Sequence, residues 1–134
     1  MNTDFIKGII VPILTPVDKN EVIDEGKMRK QVDFVIDGGV SGILAFGSNG
    51  EFYMTEEDEM MKALKIMLNH ASGRVPVYMG IGAISTKKCI RIAKAAAAAI
   101  SVHVLFLPLM AYHSFPVIFP VILPAILPAI LSVI

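Results

Sequence analysis

Apolar positions along most of the chain fall into two alternating patterns. Short, mostly apolar runs occupy 8–14, 40–46, 75–79 and 100–107, and the first of them is rich in β-branched residues. Runs of this length, bounded by glycine, proline or polar turns, are typical of strands that are buried on both faces. Amphipathic stretches separate the runs, so the pattern predicts βα units that repeat about every thirty residues.

Three amphipathic stretches predict the helices of these units. We expect them to begin at Asp24, at a capping-box variant in 55–58 and at Ser85. The apolar stripes of the first two helices are Met28, Val32, Val35 and Ile36, then Met60, Ala63, Leu64, Met67, Leu68 and Ala71. The residues predicted to face solvent on the first helix are Lys27, Arg29, Lys30 and Asp33. Near the end of the second helix, His70 is expected to face solvent or to interact with the helix C-terminus.

Repeated βα units with parallel strands occur in two architectures, the open doubly wound sheet and the closed (β/α)8 barrel. The segment 80–85, Gly-Ile-Gly-Ala-Ile-Ser, is similar to the dinucleotide-binding turn of an open sheet. However, Ser85 stands at its third glycine position and no acidic residue follows it, so we assign no dinucleotide site. The periodic pattern alone leaves both architectures open.

Composition excludes several classes of function. The formal net charge is zero, which provides no basic surface for nucleic acid. Cys89 is the single cysteine, so the chain has no internal disulfide and suits a reducing compartment. The first apolar run is not preceded by the basic segment of a secretory signal, and we therefore expect a cytoplasmic protein.

The segment 47–51, Gly-Ser-Asn-Gly-Glu, directly follows the second predicted strand. Turns in this position open on the ligand-binding edge of a parallel sheet. Gly47 and Gly50 allow a sharp bend and a close backbone approach, while Ser48 and Asn49 each carry a hydrogen-bond donor. One interpretation is a cradle for a small anion such as a carboxylate. The other is a tight turn whose polar side chains only cap it, and the spacing does not decide between them.

Four segments carry a longer pattern. They are Gly-Ile-Ile-Val-Pro-Ile-Leu-Thr-Pro at 8–16, Gly-Gly-Val-Ser-Gly-Ile at 38–43, the turn at 47–51, and Val-Pro-Val-Tyr-Met-Gly-Ile-Gly at 75–82. In this order and spacing they resemble the dihydrodipicolinate synthase / N-acetylneuraminate lyase family from residue 5 to about residue 99. The resemblance implies an α/β protein of the (β/α)8 TIM-barrel type, usually a homo-oligomer, of which this chain holds about the first three to four βα units.

The resemblance also implies an activity and a site. Members of the family join or split pyruvate and an aldehyde through a lysine Schiff base, without a cofactor or a metal ion. The turn binds the carboxylate of pyruvate, or of another 2-oxo acid, which implies a substrate-binding role for Gly47, Ser48, Asn49 and Gly50. Family members commonly carry two hydroxyl residues at the centre of the turn, so Asn49 indicates a lyase or aldolase branch. Glu51 is expected to bond backbone amides of the next helix.

No residue of this sequence is assigned as the catalytic lysine. Such a lysine must be desolvated to be neutral and nucleophilic, but every lysine here, from Lys7 to Lys94, flanks a strand or lies on a helix. The resemblance places the Schiff-base lysine on a sixth strand, after residue 134. We therefore expect the chain to be a truncated member of the family that is inactive alone.

The end of the chain has a different character. Residues 95–134 contain no Asp, Glu, Lys or Arg, and proline recurs at every fourth position from 116 to 128, which forbids a stable helix. We interpret 1–99 as the N-terminal part of a barrel domain and 100–134 as an apolar low-complexity tail, out of frame or degenerate. Two alternatives to an enzyme stay open: a non-catalytic half-barrel that binds full-length relatives, and a fragment that the apolar tail attaches to a membrane.

Overall fold

The computed structural model describes residues 6–98 and, for the backbone alone, the strand at 102–105. The elements in chain order are β1 (Ile10–Pro12), α1 (Glu25–Asp37), β2 (Gly42–Ala45), a 3₁₀ turn (Ser48–Gly50), α2 (Glu57–Ala71), β3 (Val77–Gly80), α3 (Thr86–Ala97) and β4 (Val102–Leu105). The predicted alternation of strands and helices is therefore confirmed. The predictions made for the tail from residue 106 onward lie outside the described residues.

The four strands form one parallel sheet in the order β1-β2-β3-β4. Val11, Ile43 and Val77 are successive partners across the first three strands, and Val77 pairs with Val102 on the fourth. Doubly wound sheets reverse their direction of growth, giving orders such as 3-2-1-4 or 2-1-3-4. A sheet that adds each strand on the same side instead has the order of a (β/α)8 barrel, so the barrel-type fold is confirmed for these units.

The helices cover one face of this sheet. Crossovers of one hand, repeated in one direction along a sheet, place every helix on the same side, and here α1 packs against α2 and α2 against α3. The predicted stripes supply that layer: Met28 and Val32 of α1 are fully buried, as are Met60 and Leu64 of α2. Both β2 and β3 are buried along their whole length, as expected for barrel strands that have a covered outer face and a packed interior.

Two of the three predicted helix starts are confirmed. The Asp24 carboxylate accepts the N–H of Lys27 at 3.0 Å, and the Ser85 hydroxyl accepts the N–H of Lys88 at 3.2 Å. The capping box predicted in 55–58 is wrong, because the cap residue of α2 is Glu56 and its side chain makes no capping hydrogen bond. Acidic residues at 57–59 instead place negative charge beside the exposed N–H groups of the first turn of α2.

The prediction of a fully solvated polar face on α1 is wrong at the contact with α2. There His70 Nε2 lies 2.8 Å from Asp33 Oδ2, and Arg74 Nη2 donates to Asp33 Oδ1 at 2.8 Å. Arg29 Nη1 lies 3.4 Å from His70 Nδ1. His70 therefore pairs with the neighbouring helix, and the Arg74 guanidinium, followed by His70, lowers the pKa of the Asp33 carboxyl. Among the helices described, none combines the length and hydropathy needed to cross a bilayer.

Candidate carboxylate-binding site

The candidate site begins where β2 ends at Ala45. Phe46 follows with a φ of +54° and a fully buried side chain, and Gly47 then returns to an extended conformation. The residues 48–50 form one 3₁₀ turn, which Glu51 closes with a φ of +50°. Two non-glycine residues in the left-handed region thus enclose the turn. Such conformations cost about 1–3 kcal/mol each and are concentrated at functional sites, where the surrounding structure enforces them.

The two glycines of the turn act differently from what their sequence position suggests. Neither has a positive φ, since the positive-φ glycines described are Gly8, Gly39 and Gly73. Gly50 instead permits a close approach: a Cβ there would lie 3.1 Å from the carbonyl oxygen of Ile13. A Cβ on Gly47 would make only ordinary contacts, at 3.4 Å from the Leu44 side chain and 3.9 Å from that of Pro12. Close contact with the segment after β1 therefore explains Gly50.

The strands on either side of β2 hold the turn. After β1, the Thr15 hydroxyl donates to the carbonyl oxygen of Gly50 at 2.7 Å. On the other side, Gly80 of β3 packs closely against Phe46, which precedes the turn. A Cβ on Gly80 would lie 2.3 Å from the carbonyl oxygen of Phe46. Thr15 is a functional candidate that the sequence interpretation missed. Its signal was its place directly after the first predicted strand, on the same edge of the sheet as the turn.

Ser48 and Asn49 are the exposed residues of the turn, whereas Gly47 and Gly50 are buried. Within the part of the chain that the structure describes, the side chains of Ser48 and Asn49 make no hydrogen bond with protein groups. A hydroxyl and an amide are thus available on a backbone that is fixed from both sides. The structure brings all four predicted site residues together at the carboxyl edge of the sheet.

Glu51 does not have the contact predicted for it. Its side chain is exposed and, among residues 6–98, accepts no hydrogen bond from the amides of α2. Its backbone closes the turn instead: the N–H donates to the carbonyl of Ser48 at 3.1 Å, and the carbonyl accepts the N–H of Met54 at 2.8 Å. The helix begins too far along the chain, at Glu57, for the carboxylate to serve as its cap.

Lysine positions bear directly on Schiff-base chemistry. Every lysine of the chain lies between Lys7 and Lys94, and none of them is buried. The least exposed is Lys88 on α3, whose ammonium lies 3.9 Å from the Glu57 carboxylate. Cys89 is buried, and burial raises the pKa of its thiol, which leaves it a poor nucleophile. Among the described residues, no group of His, Cys, Asp and Glu side chains is arranged to hold a metal ion.

Known proteins are similar to this chain in both sequence and fold. The chain is 41% identical over 90 residues to the 4-hydroxy-tetrahydrodipicolinate synthase of Trichlorobacter lovleyi, a match that covers 67% of this chain and 31% of that protein. The crystal structure of a dihydrodipicolinate synthase from Bacillus anthracis superposes with a TM-score of 0.80 at 28% identity, covering 94% of this chain and 43% of that one. A pyruvate complex of the dihydrodipicolinate synthase from Acinetobacter baumannii gives a TM-score of 0.71 at 33% identity, covering 75% and 35%.

The chain spans about a third of the length of the curated relatives it matches. Residues 5–108 match the sequence profile of the Dihydrodipicolinate synthetase family, and this range includes β1 to β4 and the whole of the candidate site. The chain belongs to the Dihydrodipicolinate synthetase family.

Proposed function

We propose that residues 6–98 form the carboxylate-binding part of a lyase or synthase that acts on pyruvate, or another 2-oxo acid, and an aldehyde. The observation that carries this proposal is the turn at 47–50, which presents two unpaired donors at the carboxyl edge of barrel-type strands. In this fold the carboxyl edge is the face that carries the chemistry. A relative of known structure with this fold is bound to pyruvate, which supports a 2-oxo acid as the ligand.

In the proposed complex, the Ser48 hydroxyl and the Asn49 amide each donate a hydrogen bond to the carboxylate of the 2-oxo acid. Hydrogen bonds to a charged group are stronger than those between neutral groups. The backbone of the turn is fixed by Thr15 on one side and Gly80 on the other, so the two donors need little reorganisation when the ligand arrives.

The covalent step needs an amine that the described residues do not offer. In Schiff-base formation a neutral lysine amine adds to the 2-oxo carbon, and water leaves to give the imine. Because no lysine between Lys7 and Lys94 is buried, we propose that the amine belongs to the sixth strand of the complete barrel, as the family resemblance implies. We also infer a homo-oligomeric protein of the cytoplasm, since the family usually forms homo-oligomers and Cys89 is a free thiol.

Asn49 favours a lyase or aldolase within this class. Ser48 keeps the first of the two usual hydroxyl positions, and Asn49 replaces the second hydroxyl by an amide, which has two N–H donors and a carbonyl acceptor and can still hold a carboxylate. A second candidate function is a non-catalytic half-barrel that binds full-length relatives, and the lack of a buried lysine favours it. Co-purification with a full-length relative, in the absence of any pyruvate-dependent activity, would support that alternative.

A chimera tests the proposal. Residues 6–98 of this chain replace the matching segment of the Trichlorobacter lovleyi relative, to which the chain is 41% identical over 90 residues. We expect borohydride to trap pyruvate covalently on the chimera. In that background Ser48→Ala and Asn49→Ala each raise the KM for pyruvate about tenfold or more, since each removes a hydrogen bond to a charged group.

The matched control for the chimera is Asn69→Ala, which removes an exposed amide on α2 away from the turn and leaves the KM unchanged. The proposal is contradicted if the chimera is active and neither turn variant changes the KM for pyruvate.

A further inference from the structure

Thr15 connects the segment after β1 to the turn at 47–50. Its hydroxyl donates to the carbonyl oxygen of Gly50 at 2.7 Å in a partly buried position, although the two residues are 35 positions apart in the sequence. The backbones approach closely near the same point, since a Cβ on Gly50 would lie 3.1 Å from the carbonyl oxygen of Ile13. No side-chain atom of the turn is used in this contact, so Ser48 and Asn49 stay free.

The segment that carries Thr15 is itself held by α1. With the Gln31 amide oriented to satisfy its neighbours, its nitrogen donates to the Leu14 carbonyl at 3.1 Å and its oxygen accepts the Leu14 N–H at 3.0 Å. On the other side of the backbone, the N–H of Ile13 donates to the carbonyl of Leu44 at 3.0 Å. The Gln31 amide thus pairs with both backbone polar groups of Leu14, as a neighbouring strand would. This pairing fixes Leu14, the residue before Thr15.

The turn needs such a support because two of its neighbours are strained. Phe46 and Glu51 both hold left-handed conformations, which non-glycine residues leave when nothing prevents it. Gly80 restrains the Phe46 end by close packing. Thr15 restrains the Gly50 end, next to Glu51, through its hydroxyl.

We propose that Thr15 is a positioning residue that sets the affinity of the turn for a 2-oxo acid carboxylate, and that Gln31 holds Thr15 in place. This inference rests on the proposed function. Thr15 touches neither the ligand nor the reacting atoms; it acts through the Gly50 carbonyl. The hydroxyl, rather than the volume of the side chain, is the group that matters.

The test uses the full chain and three variants. Thr15→Val keeps the volume and removes the donor, Thr15→Ser keeps the donor, and Gln31→Leu removes the contacts to Leu14. Amide hydrogen exchange over 47–51 reports the turn, exchange over β2 and β3 reports the fold, and a titration with pyruvate reports affinity. We expect Thr15→Val and Gln31→Leu to speed exchange in the turn several-fold and to weaken pyruvate binding by up to about tenfold, the effect of one hydrogen bond. Thr15→Ser should stay close to the wild type in both readouts.

The outcomes separate this inference from the proposed function. If the wild type binds pyruvate and Thr15→Val binds it equally well, the inference fails and the proposed function stands. Equal loss in Thr15→Ser and Thr15→Val also overturns the inference, because the hydroxyl would not be the cause. If the wild type binds no pyruvate, the proposed function fails. In that case unchanged exchange in Thr15→Val overturns the positioning role as well, while faster exchange confined to 47–51 supports it.

Discussion

Gly80 occupies a position where no larger residue fits. A Cβ there would lie 2.3 Å from the carbonyl oxygen of Phe46 and 2.9 Å from its carbonyl carbon, and both are backbone atoms that side-chain rotation cannot move aside. We predict that Gly80→Ala destabilises the chain by about 1–3 kcal/mol or more, the usual cost of overpacking. Urea denaturation measures this change.

The matched control for Gly80 is Gly26→Ala in the first turn of α1. A Cβ on Gly26 meets only the Asp24 carboxylate, at 3.5 Å, which is ordinary contact. Because alanine favours a helix over glycine, this variant should be neutral or more stable by up to about 1 kcal/mol. Equal destabilisation by both substitutions would contradict the steric explanation for Gly80.

Single residues of the candidate site differ in how far their place in the structure could be predicted from the sequence. Ser48 and Asn49 could be found because a turn directly after an apolar run carries its donors in consecutive positions. The bond from Thr15 to Gly50 could not, because it joins residues 35 positions apart and depends on the register of β1 against β2. The left-handed conformation of Phe46 also has no local signal, since β-strand continuation would be the default for a buried aromatic residue.

At the scale of the helix, the three N-terminal caps differ in a way that can be measured. Asp24 and Ser85 accept backbone N–H groups with their side chains, whereas Glu56 at the start of α2 does not. We predict that Asp24→Ala and Ser85→Ala each cost about 1 kcal/mol of unfolding free energy, because each leaves an N–H group without its acceptor. Glu56→Ala is the matched control and should change stability much less. A loss at Glu56 as large as at Asp24 would mean that charge, not the capping bond, stabilises these helix starts.

The contact between α1 and α2 gives the chain a pH-dependent contribution to stability. The Arg74 guanidinium and His70 lower the pKa of Asp33 from its ordinary value of 3.8. A carboxyl whose pKa is lower in the folded state stabilises the fold above its unfolded pKa, and this contribution is lost as the pH falls through the folded value. We predict that Asp33→Asn is less stable than the wild type near neutral pH, and that the difference disappears in strong acid.

Urea denaturation over a series of pH values measures the Asp33 effect. A double-mutant cycle with Arg74→Gln then isolates the pair, and its coupling energy should be present near neutral pH and absent below the lowered pKa. A coupling that does not change with pH would show that Asp33 contributes through packing rather than through its charge.

Helices were predicted more completely than their contacts. The apolar stripes of α1 and α2 identify the buried faces because one side of each helix must be covered. The polar side chains between those faces carry no such constraint in the sequence. Whether Asp33 faces solvent or contacts His70 depends on the angle and register at which α1 packs on α2. The sequences of the two helices do not specify that packing.

For the whole molecule, the decisive observation is the order of the strands. The periodic pattern was compatible with an open sheet and with a barrel, because both are built from the same βα unit. Local sequence determines each unit, whereas the choice of neighbour for each new strand depends on the packing of the complete sheet. The order β1-β2-β3-β4 decides for the barrel type, and it is also what brings the ends of β1 and β3 to the two sides of the turn.

The lysines of the whole chain determine whether it can form a Schiff base without further strands. Schiff-base formation needs an amine removed from water, and every lysine here remains exposed or, at Lys88, lies beside the carboxylate of Glu57. We predict that the full chain, incubated with pyruvate and borohydride, shows no covalent adduct by intact mass, while the chimera that includes the relative's remaining strands does. A stoichiometric adduct on the chain itself would contradict this prediction. Peptide mapping would then identify which lysine between Lys7 and Lys94 becomes desolvated, and Lys88→Gln would be the first variant to compare.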